Sequence, residues 1–152
     1  MTAIPGGYPS VRPYLHIDDA AQAIDFYAKA FGAKERLRLT VPGGKIAHAE
    51  VEIGDSLVMV CDPLPQFEPR PPTQLGGTSA EVLVYVEDVD AAVKQAVEAG
   101  ATIRTEVADQ FWGDRSGAIT DPFGHMWLIA TRIEDLTPEE IVDRSKAAMS
   151  SS

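Results

Sequence analysis

Along Val11–Ile17 apolar and polar positions alternate, with Val11, Pro13, Leu15 and Ile17 on one side and Arg12, Tyr14 and His16 on the other. A period of two describes a strand whose two faces meet different surroundings. Asp18-Asp19 follows, and apolar residues then return at helical spacing at Ala20, Ala23, Ile24, Tyr27 and Phe31. That pattern predicts an aspartate-capped amphipathic helix. The same succession recurs at Glu81–Ala99. Each copy ends in Gly-Ala, at Gly32-Ala33 and Gly100-Ala101. The chain is one strand-helix unit used twice.

Between the copies, Glu35–Val41 reads as a second strand, Pro42-Gly43-Gly44 as a hairpin turn, Ile46–Ile53 as a third strand and Leu57–Cys61 as a fourth. Glycines at the turn accept the positive φ such connections require. After the second helix, Thr102–Val107, Ser116–Thr120 and Met126–Thr131 read as strands, with a loop around Asp109–Asp114. The fold class expected is α+β, with two βαβββ modules forming a curved mixed sheet around a shared cavity. The expected boundaries are a lead-in at 1–10, module one at 11–61, a linker at 62–78, module two at 79–132 and a helical tail at 133–152. The linker holds five prolines and two glycines, which oppose both helix and sheet. A loop of that length can also act as a flap. In the tail, Thr137-Pro138-Glu139-Glu140 marks a helix start with a capping box. Its sparse apolar positions predict a surface helix that frays over Ser150–Ser152.

The helices need an apolar sheet face to cover. Val11/Leu15/Ile17, Ala49/Val51/Ile53, Val58/Val60, Val82/Val84/Val86 and Trp127/Ile129 supply it. The opposite faces carry Arg12, Tyr14, His16, His48, Glu50, Met59, Cys61, Glu81, Tyr85, Met126 and Leu128. Met59, Leu83, Met126 and Leu128 are poor residues to offer to water. A mixed apolar-polar cavity suited to a small organic ligand is therefore expected.

Composition narrows the classes. A net charge of −10 opposes nucleic acid and anionic membrane surfaces as partners. No apolar run reaches the roughly 20 residues that span a bilayer, and the first ten residues lack the pattern of a signal peptide. The single cysteine, Cys61, forms no internal disulfide, so a reducing, cytoplasmic location is expected. No G-x-G-x-x-G, phosphate loop, nucleophile elbow or C-x-x-C occurs.

The paired modules, the segment Ala23-Ile24-Asp25-Phe26-Tyr27, the turn Gly54-Asp55-Ser56 and the run Asp121-Pro122-Phe123-Gly124-His125 together resemble the vicinal oxygen chelate superfamily. That group holds glyoxalase I, bleomycin-resistance proteins and extradiol dioxygenases. Gln110-Phe111-Trp112-Gly113-Asp114-Arg115 and the Glu134–Glu140 tail are similar to its PhnB-like branch. The resemblance covers roughly residues 8–145 and implies the paired-module fold and a homodimer. It also implies metal ligands at positions that here hold Arg12, Met59, Glu81 and Leu128. Of these, only Glu81 has a suitable donor, since arginine stays protonated and a thioether suits softer ions. No cofactor is therefore expected. The alternative is a divalent metal at a displaced site of His16, His48, Glu50 and Glu81.

Three functional readings follow. The first is a binder of a small aromatic or carbonyl-bearing molecule, using Arg12, Tyr14, His48, Glu50, Met59, Tyr85, Trp112, Arg115 and Leu128. The second is a metal-dependent lyase, isomerase or dioxygenase at the displaced site. The third is a metal-free enzyme with His16 or Glu81 as base. Some residues also have purely structural readings. His16 either serves chemistry or is a hydrogen-bonded pocket histidine, and Trp112 either stacks on a ligand or fills the gap between modules. His125 is expected to be structural, Cys61 buried and inert. Asp114 and Arg115 are expected to pair with each other. Arg12 either meets an anionic or carbonyl-bearing ligand or pairs with Glu81.

Overall fold

The computed structural model describes residues 1–150; the expected fraying at Ser151 and Ser152 lies outside them. Two successive units of strand, helix and three strands build the molecule. The first comprises β1 (Tyr14–His16), α1 (Ala20–Phe31), β2 (Lys34–Thr40), β3 (Ile46–Ile53) and β4 (Ser56–Cys61). A one-turn helix, α2 (Pro72–Leu75), intervenes. The second comprises β5 (Glu81–Tyr85), α3 (Val89–Glu98), β6 (Thr102–Asp109), β7 (Asp114–Thr120) and β8 (Met126–Arg132), and α4 (Pro138–Ser150) follows. Each unit forms a four-stranded mixed sheet, in the order β1-β4-β3-β2 and β5-β8-β7-β6. In each, the strand before the helix runs parallel to the last strand, because the helix crosses over and returns the chain in the same direction.

The helices form where their caps predict. Asp19 accepts from the Gln22 backbone N–H and Asp88 from that of Ala91. The Thr137 hydroxyl accepts from Glu140 N–H while the Glu140 carboxylate accepts from Thr137 N–H, a reciprocal capping box at α4. The turn predicted as an open loop at 109–114 is tighter than expected. β6 and β7 run to its edges, and Gln110 N–H bonds to the Asp114 carbonyl. β1 is shorter than predicted. Val11 is 89% exposed and lies off the apolar face expected for it; pairing begins only at the Pro13 carbonyl, which accepts from Met59 N–H. α2 also departs from the expectation that 62–78 lacks regular structure. Pro72 opens it, where a missing N–H costs nothing.

One core joins the halves. The apolar faces of both sheets and the inner faces of α1 and α3 form a single buried cluster. α1 reaches across into the second unit: Tyr27 and Phe31 pack on Trp127 at 5.1 and 4.7 Å between ring centroids, and Phe26 meets Phe123 edge-on. At the centre sits Asp121, 3% exposed. Its carboxylate accepts from the Tyr27 hydroxyl (2.6 Å), Trp127 Nε1 (3.0 Å) and the backbone N–H groups of Phe123 and His125 (2.9 Å each). Four donors satisfy a buried charge that would otherwise be costly. Gly124 closes this turn at φ +91°, and a Cβ there would come within 2.8 Å of Pro72, so glycine lets α2 seat against the turn.

Candidate functional site

The sheet faces turned away from the core hold most of the predicted site residues. On the first, Tyr14 and His16 project from β1, His48 and Glu50 from β3, and Met59 and Cys61 from β4, at strand positions two apart and so on one side. The Tyr14 hydroxyl lies 2.6 Å from His48 Nδ1, and His48 Nε2 lies 3.1 Å from Glu50 Oε1. The Tyr14 ring stacks on His16 at 5.3 Å, and Phe67 meets His16 edge-on. His16 Nδ1 in turn lies 3.3 Å from Cys61 Sγ. Five of these side chains thus make three polar contacts on one surface, joined by the Tyr14–His16 ring stack.

Their titration follows from their surroundings. Burial, reinforced by the nearby Arg70 guanidinium and by His125, holds His16 below the usual histidine value. Its imidazole is therefore neutral at pH 7, with a lone pair to offer. Burial first, and the adjacent Cys61 second, push the Tyr14 phenol up. Burial also raises the Cys61 thiol, with the nearby Tyr14 opposing the shift and Asp62 reinforcing it. Cys61 is fully buried, so it belongs to the inert kind of cysteine. His125 donates from Nε2 to the His16 carbonyl at 3.0 Å and holds β1 against the second unit.

The second face differs. Leu83 and Leu128 are paired in register, as are Tyr85 and Ala130. Tyr85 donates to the buried Asp114 carboxylate at 2.7 Å, and Trp112 Nε1 donates to the same oxygen at 3.2 Å. The Asp114 hydrogen bond, then burial, raises the Tyr85 phenol. Trp112 is thereby fixed beside its own hairpin, with Phe111 edge-on at 5.0 Å.

Several expected partnerships change. Asp114 does not pair with Arg115. It takes Tyr85 and Trp112, while Arg115 bonds to Asp90 and Asp109; alternation sends neighbouring side chains to opposite faces. Arg12 does not meet Glu81. Its guanidinium donates to the Pro5 and Pro9 carbonyls and lies over the Tyr8 ring at 5.7 Å, because the lead-in folds back along it. Glu81 is held instead by Arg104 of β6. His16, His48, Glu50 and Glu81 do not assemble one centre: Glu50 and His48 bind each other, His16 contacts Cys61, and Glu81 is tied to Arg104. Among the described residues no group of three or more His, Cys, Asp or Glu side chains is placed to hold a metal ion.

Both faces are open in the single chain: Tyr14 is 47%, Leu83 47% and Tyr85 54% exposed. Two clefts run between the units. One, of about 340 Å³, is lined by Pro13, Val58 and the 53–56 turn on one side and by Val82–Tyr85 and Trp127 on the other. The second, of about 210 Å³, lies under α2 and places Tyr14, His16 and Arg70 near Val82, His125 and Met126. Sequence reasoning missed Arg70 and Arg104, since neither lies in a motif. No helix among the described residues is long and apolar enough to cross a membrane.

Comparison with known proteins places this geometry. The family model described as the glyoxalase/bleomycin resistance protein/dioxygenase superfamily matches residues 12–129. Uncharacterized protein Rv0887c of Mycobacterium tuberculosis is 45% identical over 146 residues, covering 94% of this chain and 84% of the relative. The crystal structure of TioX from Micromonospora sp. ML1 superimposes with a TM-score of 0.63 at 30% identity, over 85% of this chain and all of the other. TnmS3, an antibiotic-binding protein from Streptomyces sp. CB03234, superimposes with a TM-score of 0.61 over 87% of this chain and 99% of the other. Its 21% identity supports a shared fold.

Proposed function

The chain belongs to the glyoxalase/bleomycin resistance protein/dioxygenase superfamily, and we propose that within it this protein is a PhnB-like member that binds a small organic ligand, aromatic or carbonyl-bearing. The ligand lies between a polar face of the first unit and an apolar face of the second, without the family metal. The observation that carries this reading is the contrast between the two faces. Tyr14, His16, His48 and Glu50 offer directed polar groups, while Leu83 and Leu128 offer apolar surface, the mixture that small-molecule sites use.

The donor set opposes a metal. Arg12, Met59 and Leu128 stand at three of the positions that the resemblance assigns to ligands, and the fourth, Glu81, is neutralised by Arg104. Catalytic metal sites need about three protein donors of suitable chemistry. The half-exposed Leu83 and Tyr85, and Val142 on α4, support a homodimer in which the open faces are covered. The branch assignment rests on the Gln110–Arg115, Asp121–His125 and Glu134–Glu140 runs.

The test is a calorimetric screen of flat aromatic and carbonyl compounds, run beside sedimentation and elemental analysis. The expected result is saturable one-to-one binding per chain to a dimer that holds no stoichiometric transition metal. A monomer carrying about one such metal per chain, with an activity lost on chelation, would overturn the reading.

A further inference from the structure

We propose that Glu50 and His48 commit the single hydroxyl hydrogen of Tyr14, so that its phenol oxygen meets a ligand as an acceptor and selects aromatic molecules carrying a hydroxyl or N–H donor. The proposal rests on the binding reading above and specifies its ligand class.

As a carboxylate, Glu50 has acceptors only. Its contact with His48 Nε2 at 3.1 Å therefore places a hydrogen on that nitrogen. A neutral imidazole carries one N–H, so Nδ1 is left with a lone pair. Tyr14 Oη lies 2.6 Å from Nδ1, and one of the two must supply the hydrogen. Only the phenol has one. With that hydrogen turned toward His48, the oxygen keeps its lone pairs for whatever approaches from the open side. Tyr14 is half exposed there and lines the cleft under α2. Its ring stacked on His16 adds a flat platform for an aromatic ligand. Without Glu50 the tautomer would be free, and Tyr14 would donate or accept according to the ligand. The carboxylate thus acts through two bonds as a positioning residue, and Tyr14 makes the selective contact.

The test compares 2-naphthol with 2-methoxynaphthalene, which share the ring system and differ in the donor. Calorimetry on the wild-type protein is expected to give about tenfold tighter binding of the naphthol, the size of one hydrogen bond. Tyr14→Phe should bring the two affinities together by weakening the naphthol alone. Glu50→Gln can donate its amide N–H to Nε2 and thereby allow the other tautomer, with Nδ1–H aimed at Tyr14. The freed phenol hydrogen can then reach the ether oxygen, and the ratio should fall to about one or below. Nitrogen-15 NMR of the unliganded protein should show His48 protonated at Nε2 in the wild type and shifted toward Nδ1 in Glu50→Gln. Equal binding of both compounds by the wild type would overturn the donor selection while leaving the binding reading intact, as would an unchanged tenfold ratio in Glu50→Gln. If neither compound binds, the aromatic-binding reading fails together with the selection.

Discussion

The two units share a register, so their outer faces can be compared place by place. Tyr14 opposite Met59 and His16 opposite Cys61 in the first sheet correspond to Leu83 opposite Leu128 and Tyr85 opposite Ala130 in the second. Glu50, paired with Met59, corresponds to Ala118, paired with Leu128. Two residues earlier, His48 stands where Ser116 stands. Tyr14 and Glu50 of the first face give way to leucine and alanine on the second, while tyrosine and serine stand where His16 and His48 stand. The core faces behind them do not diverge in this way: Leu15 and Val84, Ile17 and Val86, and Val60 and Ile129 remain aliphatic. The core must receive the same two helices in both copies, which restricts size and polarity. An open face carries no such demand and can specialise. The repeat therefore builds one scaffold twice and two unlike surfaces on it.

The shared core should be the most sensitive point. Asp121→Ala removes the acceptor for the Tyr27 hydroxyl, the Trp127 N–H and two backbone N–H groups. Urea unfolding should show a loss of about 4 kcal/mol, since each buried donor left unpaired costs about 1–3 kcal/mol. Both units should lose stability in one transition; two separate transitions would break the claim of a common core. A smaller effect is expected on the apolar face. Leu128→Asn should weaken 2-naphthol by about 2 kcal/mol, the scale of a buried leucine contact, whereas Ser116→Ala should leave binding within twofold. Equal losses from both would erase the contrast between apolar and polar positions.

Tyr27→Phe should cost about 1.5 kcal/mol at pH 7 by deleting its bond to Asp121. Burial raises the Tyr27 phenol well above its usual value, with Asp121 reinforcing the shift. The stability that this shift supplies is full below the ordinary tyrosine value of about 10. It drains away as pH climbs from there toward the folded value. Denaturation midpoints should fall above about pH 10 in the wild type and fall less steeply in Tyr27→Phe. Least of all, Arg104→Ala should change stability by under about 1 kcal/mol, because the Arg104–Glu81 pair is a third exposed. That variant also asks whether freeing Glu81 creates a metal requirement; none is expected by elemental analysis.

The strands, both helix caps and the α4 capping box were legible because they are local: period, cap residue and turn chemistry lie within a few positions of one another. The gathering of Tyr14, His48 and Glu50 on one face was also legible from alternation. Their hydrogen-bond order was not, because it depends on the offset between β1 and β3. Ion pairs were misjudged for the same reason. Arg115 finds Asp90, 25 positions away, through the register of β7 against α3, and adjacency to Asp114 misled. Arg12 turned to carbonyls of a Gly- and Pro-rich lead-in whose path no pattern encodes. Asp121 stood inside a recognised turn, but its role in tying α1 to the second sheet required a contact across 94 positions.

That one ligand touches both unlike faces is tested most directly by nuclear Overhauser contacts from bound 2-naphthol to protein side chains. The expected contacts run to the Tyr14 ring together with the methyl groups of Leu83 and Leu128. Contacts confined to one face, or to the cleft lined by Ile53, Val58 and Trp127, would contradict it.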